Sequence, residues 1–187
     1  EYPPVPGRRA DGVDLTALWQ ARHADGAYVW NGEAFAELDP QAPGPVLGLF
    51  EPSHMRFEAD RADDPGAEPS LAEMTRFALA KLSHAGGRQG FLLVVEAGRI
   101  DHAHHAANAH RALVDTIALS DAVAVAREAT APEDTLIVVT ADHGHTLTIG
   151  GYPRRGNPSL GKVRVHHPEG DPNGLLMPDA SGVPFTT

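Results

Sequence analysis

The sequence predicts an α/β protein built on a parallel sheet, and three observations predict it. Two short apolar runs, Phe91-Leu-Leu-Val-Val95 and Leu136-Ile-Val-Val-Thr140, lack polar alternation. Such runs read as strands covered on both faces. An Ala-rich stretch from about 103 to 129 lies between them, with Ala109, Leu113 and Ile117 on one stripe and Ala131-Pro132 at its end. Strand, helix, strand with a crossover of this length predicts a right-handed βαβ unit.

The other elements follow in chain order. Leu15, Leu18, Trp19 and Arg22 recur at helical spacing over 14–22, and a short Ala-Tyr-Val-Trp strand at 27–30 ends in an Asn31-Gly32 turn. A breaker-rich loop at 39–45 precedes an apolar run at 46–50. From Glu51 to Glu73, seven acids against two Arg without periodicity predict a solvated segment. Ser70-Leu-Ala-Glu73 reads as a capping box, opening a helix with Leu71, Met74, Ala78 and Leu82 at 3–4 spacing that Gly86-Gly87 breaks. After Gly150-Gly151 the chain is rich in Pro and Gly and reads as loop.

Composition narrows the function. The 187 residues, 42% of them hydrophobic and 21% charged, suffice for a core and exclude a disordered or fibrous chain. A net charge of −10 argues against non-specific nucleic-acid binding, which rests on Lys and Arg neutralising phosphates. No apolar run approaches the ~20 residues of a membrane span. With no Cys, disulfides and thiolate metal sites are ruled out; 11 His are left to explain. There is neither a signal-peptide pattern nor an initiator Met, and the expectation is an internal segment of a longer chain.

Two clusters carry chemistry, each just past the C-terminal end of an apolar run, the edge where open α/β sheets bind ligands. The first holds Glu96, Asp101, His102, His104 and His105. Asp101 and His105 are spaced i, i+4, so a carboxylate and an imidazole share one helix face and can grip a single Zn²⁺. The second, Asp142-His143, offers another oxygen and nitrogen, with His145 two residues on and able to orient a ligand from behind. Mixed carboxylate and imidazole ligands suit an open Zn²⁺ site, while an all-oxygen position at Glu96 suits Mg²⁺. Two adjacent metals stabilise an in-line phosphoryl displacement. The plainer alternatives are a weakly chelating, exposed His patch at a helix start and a simple turn at Asp142-His143.

The residues that make up these clusters resemble the alkaline phosphatase family: Val-Glu96-Ala-Gly-Arg-Ile-Asp101-His-Ala-His-His105, Val-Thr-Ala-Asp142-His143-Gly-His145 and Gly-Gly-Tyr-Pro-Arg-Arg-Gly-Asn. Upstream, Arg-Ala-Asp-Gly-Val-Asp-Leu, Gly-Leu-Phe-Glu-Pro-Ser-His-Met and Pro-Ser-Leu-Ala-Glu-Met-Thr extend the resemblance over nearly the whole chain. It implies a three-layer α/β/α domain with a mostly parallel central sheet, of which residues 1–187 form a part. It implies phosphate monoester hydrolysis through a phosphoserine intermediate at a site with two Zn²⁺ and one Mg²⁺. Glu96 would be a Mg²⁺ ligand, Asp101 and His105 ligands of the first Zn²⁺, and Asp142 and His143 ligands of the second. His102 would lie near the substrate phosphate, and His145 would hydrogen-bond Asp101 from the second shell of ligands. By the same resemblance, Phe50, Glu51 and Glu68 match a Ca²⁺ site found in some members. A homodimer in the periplasm or outside the cell is also implied, with phosphate monoesters as substrates and neither nucleic acid nor a membrane span involved.

The departures define what is expected elsewhere. None of the six Ser (Ser53, Ser70, Ser83, Ser120, Ser159, Ser181) stands in the Asp-Ser-Ala context of the family's nucleophile. That Ser is expected upstream and the last zinc ligand downstream, so this segment alone is expected to turn over little substrate. The rival readings are a related metal-dependent phosphodiesterase, sulfatase or phosphomutase, and a non-catalytic metal-binding fragment.

Overall fold

The computed structural model describes residues 7, 9–146 and 160. Helix α1 (Leu15–Arg22) starts at Asp14, whose side chain accepts from the Thr16 and Ala17 N–H groups and so satisfies two of the donors that a helix start leaves open. Strand β1 (Ala27–Val29) follows. The Asn31-Gly32 pair is more than a turn: Asn31 accepts from the Ala34 N–H and caps a short helix, α2 (Gly32–Ala36). Strand β2 (Val46–Gly48) pairs with β1 in parallel, Ala27 opposite Val46 and Val29 opposite Gly48, giving a two-stranded sheet. The ring of Phe35 on α2 meets those of Phe50 and Phe77, at 5.8 and 5.4 Å between centroids, and ties this sheet to the helices behind it.

The acidic stretch after β2 is not a solvated segment. A 3₁₀ helix (Glu58–Asp63) runs through it, and Asp64 and Glu68 are buried. Gly32 fastens this stretch to α2. Its N–H donates to the Gly66 carbonyl at 2.9 Å, and a side chain here would sit 1.8 Å from the Ala67 carbonyl oxygen. Only glycine allows backbones to approach so closely. Ala67 itself has a φ of +50°, a left-handed conformation unusual outside Gly and Asn.

Helix α3 (Leu71–Gly86) opens with the expected capping box. Ser70 Oγ accepts from the Glu73 N–H, and the Glu73 carboxylate accepts from the Ser70 N–H. Its buried positions are Thr75 and Leu79, whereas Leu71, Met74, Ala78 and Leu82 are half-buried, because the neighbouring helix meets a face turned from the predicted stripe. The long Ala-rich helix divides in two, α4 (Arg99–His105) and α5 (Ala109–Ala129). Ala107, with φ of +51°, lets the Asn108 N–H bond the Ala103 carbonyl and the Ala107 N–H the His104 carbonyl. This paired closure ends a helix, and Asn108 caps the next by accepting from Arg111. Helix α5 packs on α3 and α4 through small residues, with Ala103, Ala112, Ala122 and Val125 buried.

The predicted buried strands are where the sequence reading needs correction. Among the described residues, 91–95 and 136–140 pair with no strand, and their side chains are largely exposed, Leu92 at 86% and Leu136 at 87%. The expected βαβ unit is therefore not formed there. Leu113 and Ile117, the predicted apolar stripe of α5, are exposed as well. Periodicity reports what a segment is suited to, but burial of a central strand requires neighbours on both sides and both faces. The Pro- and Gly-rich stretch after Gly151, with the Gly-Gly-Tyr-Pro motif, lies outside the described residues apart from Leu160. No described helix is long and apolar enough to cross a membrane.

Candidate metal centre

Helix α4 displays Asp101 and His105 one turn apart, as their spacing requires, with His105 Nε2 3.3 Å from Asp101 Oδ2. The chain after 136–140 returns to this helix and brings His143 Nε2 to 3.6 Å from Asp101 Oδ1 and 3.4 Å from Asp142 Oδ2. The Asp101 carboxylate thus stands between His105 and His143, one oxygen toward each. The pairs expected at separate zincs form one cluster around it.

His145 also joins. Asp101, His105 and His145 each present a ligating atom, all within 4.8 Å of one another. The His145 ring meets that of His105 at 4.7 Å and stacks on His104 at 5.1 Å. His145, expected only to support Asp101, thus groups with the candidate ligands, and His104 is its stacking partner.

Imidazole orientation is set by backbone carbonyls. His143 Nδ1 lies 2.8 Å from the Gly144 oxygen and His145 Nδ1 3.0 Å from that of Thr146. A carbonyl only accepts, so each Nδ1 carries the proton and leaves Nε2 as the ligating atom. The Gly144 carbonyl holds the His143 imidazole above its usual pKa, with the Asp142 and Asp101 charges adding to it. His102 points the other way. Its Nδ1 lies 3.0 Å from Arg99 Nη1, which can only donate, so that nitrogen must accept and the ring's N–H sits at Nε2. Burial lowers its pKa, and the nearby His54 and Arg99 act in the same direction. The His54 ring, which carried no sequence signal, lies 4.3 Å from it. Arg99 in turn stacks over Phe57 at 3.7 Å.

Glu96 is exposed and belongs to neither group of ligating side chains found among the described residues; it lines a cavity with Arg99, Glu68 and Asp115. The second such group is Glu51, Asp64 and Glu68, again within 4.8 Å. Glu51 and Glu68 are the pair the resemblance selects, and Phe50 beside them is buried. Asp64 was missed. Its only sequence cue is its place four residues before Glu68 across a Pro65-Gly66 turn, which by itself reads as a loop.

The donor sets fit the ions the resemblance implies. The Asp101 cluster mixes carboxylate and imidazole without thiolate, as open zinc sites do, and Asp101 Oδ1 is buried without a hydrogen-bond partner. The Glu51 cluster offers only oxygens, the preference of Ca²⁺. Glu96 offers one carboxylate, an oxygen donor of the kind Mg²⁺ takes, but stands apart from both clusters.

A parallel-stranded α/β chain with carboxylate and imidazole groups clustered around one short helix has the make-up of a metal-dependent protein. Comparison with known proteins narrows it. The alkaline phosphatase family profile matches residues 1–177, and the chain belongs to that family. It is 44% identical over 158 residues to the rat tissue-nonspecific alkaline phosphatase isozyme, covering 83% of this chain and 29% of that protein. Identity to the membrane-bound alkaline phosphatase of the silkworm Bombyx mori is 43% over 162 residues, covering 84% and 29%. The Thermus thermophilus alkaline phosphatase structure superposes with a TM-score of 0.53 at 38% identity, covering 63% of this chain and 23% of that one. The chain thus spans less than a third of the length of these relatives.

Proposed function

We propose that this chain is part of a metal-dependent phosphate monoester hydrolase of the alkaline phosphatase type, working through a phosphoserine intermediate whose Ser lies outside these residues. The observation that carries the reading is Asp101, a carboxylate shared between His105 and His143 with one buried oxygen lacking a hydrogen bond. Asp101 and His105 would hold one Zn²⁺, Asp142 and His143 the other, and Glu96 a Mg²⁺, with His145 a further candidate ligand at the first. Phe50, Glu51 and Glu68 would serve Ca²⁺. Bound metals would polarise phosphoryl oxygens and lower the pKa of a water toward ~7.

The residues themselves do the positioning. The Gly144 and Thr146 carbonyls present the Nε2 atoms of His143 and His145, while Arg99 keeps the His102 Nε2–H available to an anionic phosphate oxygen. The net charge of −10 does not oppose an anionic substrate, because bound cations dominate the local field. The exposed apolar runs 91–95 and 136–140 favour a larger, three-layer α/β/α domain, of which residues 1–187 are a part, whose other strands cover them. A homodimeric protein acting in the periplasm or outside the cell completes the proposal.

The test is hydrolysis of an aryl phosphate at alkaline pH by the full-length protein. Activity is expected to be lost to a chelator and restored by Zn²⁺ with Mg²⁺; full activity in metal-free protein would refute the reading.

A further inference from the structure

The three carboxylates of the second cluster are held together at short range, with Arg56 as the cation paired to two of them. Asp64 exposes 1% of its side chain and Glu68 is 2% exposed. Two backbone donors reach them: the Arg56 N–H donates to Glu68 Oε1 at 2.7 Å, and the Glu68 N–H to Asp64 Oδ2 at 2.9 Å. One oxygen of each residue (Glu51 Oε1, Asp64 Oδ1 and Glu68 Oε2) remains buried without a hydrogen bond. Arg56 Nε approaches Glu51 Oε1 at 3.4 Å and Asp64 Oδ1 at 3.7 Å, but its side chain is 45% exposed and it is one charge beside three. Burying three carboxylates beside a single guanidinium is unfavourable. A divalent ion coordinated by these three oxygens would offset the negative charge that one guanidinium does not balance.

We propose that Asp64 is a direct cation ligand, the third carboxylate of a Ca²⁺ site made with Glu51 and Glu68. This rests on the reading of Phe50, Glu51 and Glu68 as a Ca²⁺ site and adds to it a residue that the resemblance does not select. The spacing suits the ion. Oxygens within 4.8 Å of one another fit around a cation whose ligands stand at about 2.3–2.6 Å, and a set of carboxylate oxygens alone is the kind that Ca²⁺ takes. A third carboxylate raises the site's charge count, which together with rigidity sets Ca²⁺ affinity. Helix α2 and the Gly32–Gly66 contact hold the turn that carries Asp64 and Glu68, so the three groups arrive together when this part of the chain folds.

The experiment is calorimetric titration of Ca²⁺ into the full-length protein already saturated with Zn²⁺ and Mg²⁺, with thermal melting in parallel. Wild type is expected to bind Ca²⁺ and gain thermal stability, and Asp64→Asn to weaken binding by roughly tenfold or more, with zinc content unchanged. Asn keeps an oxygen to accept from the Glu68 N–H, so loss of that hydrogen bond cannot account for the result. If Asp64→Asn binds as wild type does while Glu68→Gln loses Ca²⁺, the assignment of Asp64 falls and the two-glutamate site stands. If wild type shows no Ca²⁺ response, both fall. Should Asp64→Asn fail to fold, Asp64→Ser, whose hydroxyl can still accept from Glu68, carries the same test.

Discussion

Asp101 and Asp64 are both aspartates within reach of two other ligating side chains, yet their surroundings are opposite. Asp101 sits on a helix start with its side chain 35% exposed, and imidazoles that can be neutral face its oxygens. Asp64 sits under a clamped turn, nearly inaccessible, among like charges. The first arrangement is partly open to solvent, which leaves room for substrate. The second has Arg56 and two backbone N–H groups against three buried carboxylates, so a cation bound there would contribute to stability. One site is open to solvent, the other closed to it.

The contrast is broken most directly at Asp101. Asp101→Asn removes the charge shared between His105 and His143, and zinc content together with aryl phosphate hydrolysis is expected to fall by at least ~100-fold, above the 10–100-fold seen for groups that merely support a ligand. Elemental analysis and a phosphatase assay check this. Thermal stability should change little, because the site is exposed. A large drop in melting temperature with retained zinc would erase the distinction between the two regions.

A second, smaller effect concerns pH at the buried cluster. Burial pushes the Glu68 carboxyl above its usual pKa; the Arg56 N–H opposes this, and the Asp64 and Glu51 charges reinforce it. The native state then binds the proton more tightly than the unfolded chain does. Its stability is therefore greatest below the unfolded pKa and falls as pH rises through the raised one. In Ca²⁺-free protein, melting temperature should fall as pH rises above the ordinary glutamate range, and Glu68→Gln should flatten that slope. Added Ca²⁺ should flatten it in wild type as well. A slope unchanged in Glu68→Gln would place the titration elsewhere.

The smallest effect tests how the buried cluster is anchored. Ser70→Ala removes the capping-box hydroxyl at the start of α3, two residues beyond Glu68, and is expected to cost about 1 kcal/mol of stability. Denaturant melts measure that cost. Zinc binding at the exposed cluster should be untouched, and any loosening should show first in Ca²⁺ affinity.

Much of this was legible in the sequence because it depends on neighbours along the chain. The Ser70–Glu73 box, the Gly86-Gly87 stop and the one-turn spacing of Asp101 and His105 are local facts that the structure repeats. The Asp14 cap on α1 is another of the kind. Asn31 as a cap, in contrast, was hidden behind its turn-forming reputation. The division of the Ala-rich helix at Ala107 had no Gly or Pro to announce it, since an alanine took the left-handed position.

What the sequence alone determined is the inventory of ligating groups and the helices that carry them, because spacing along a helix sets which side chains share a face. The tertiary structure decided which groups meet. Asp101 faces both His105 and His143, His145 closes on the same carboxylate, and Asp64, fourteen residues past Phe50 in a stretch that reads as solvated loop, is folded beneath a glycine contact from α2 to complete a set of three carboxylates. Burial is a property of what covers a residue. Composition could not report that Asp64 and Glu68 would be covered, nor that the apolar runs 91–95 and 136–140 would lack cover among the described residues.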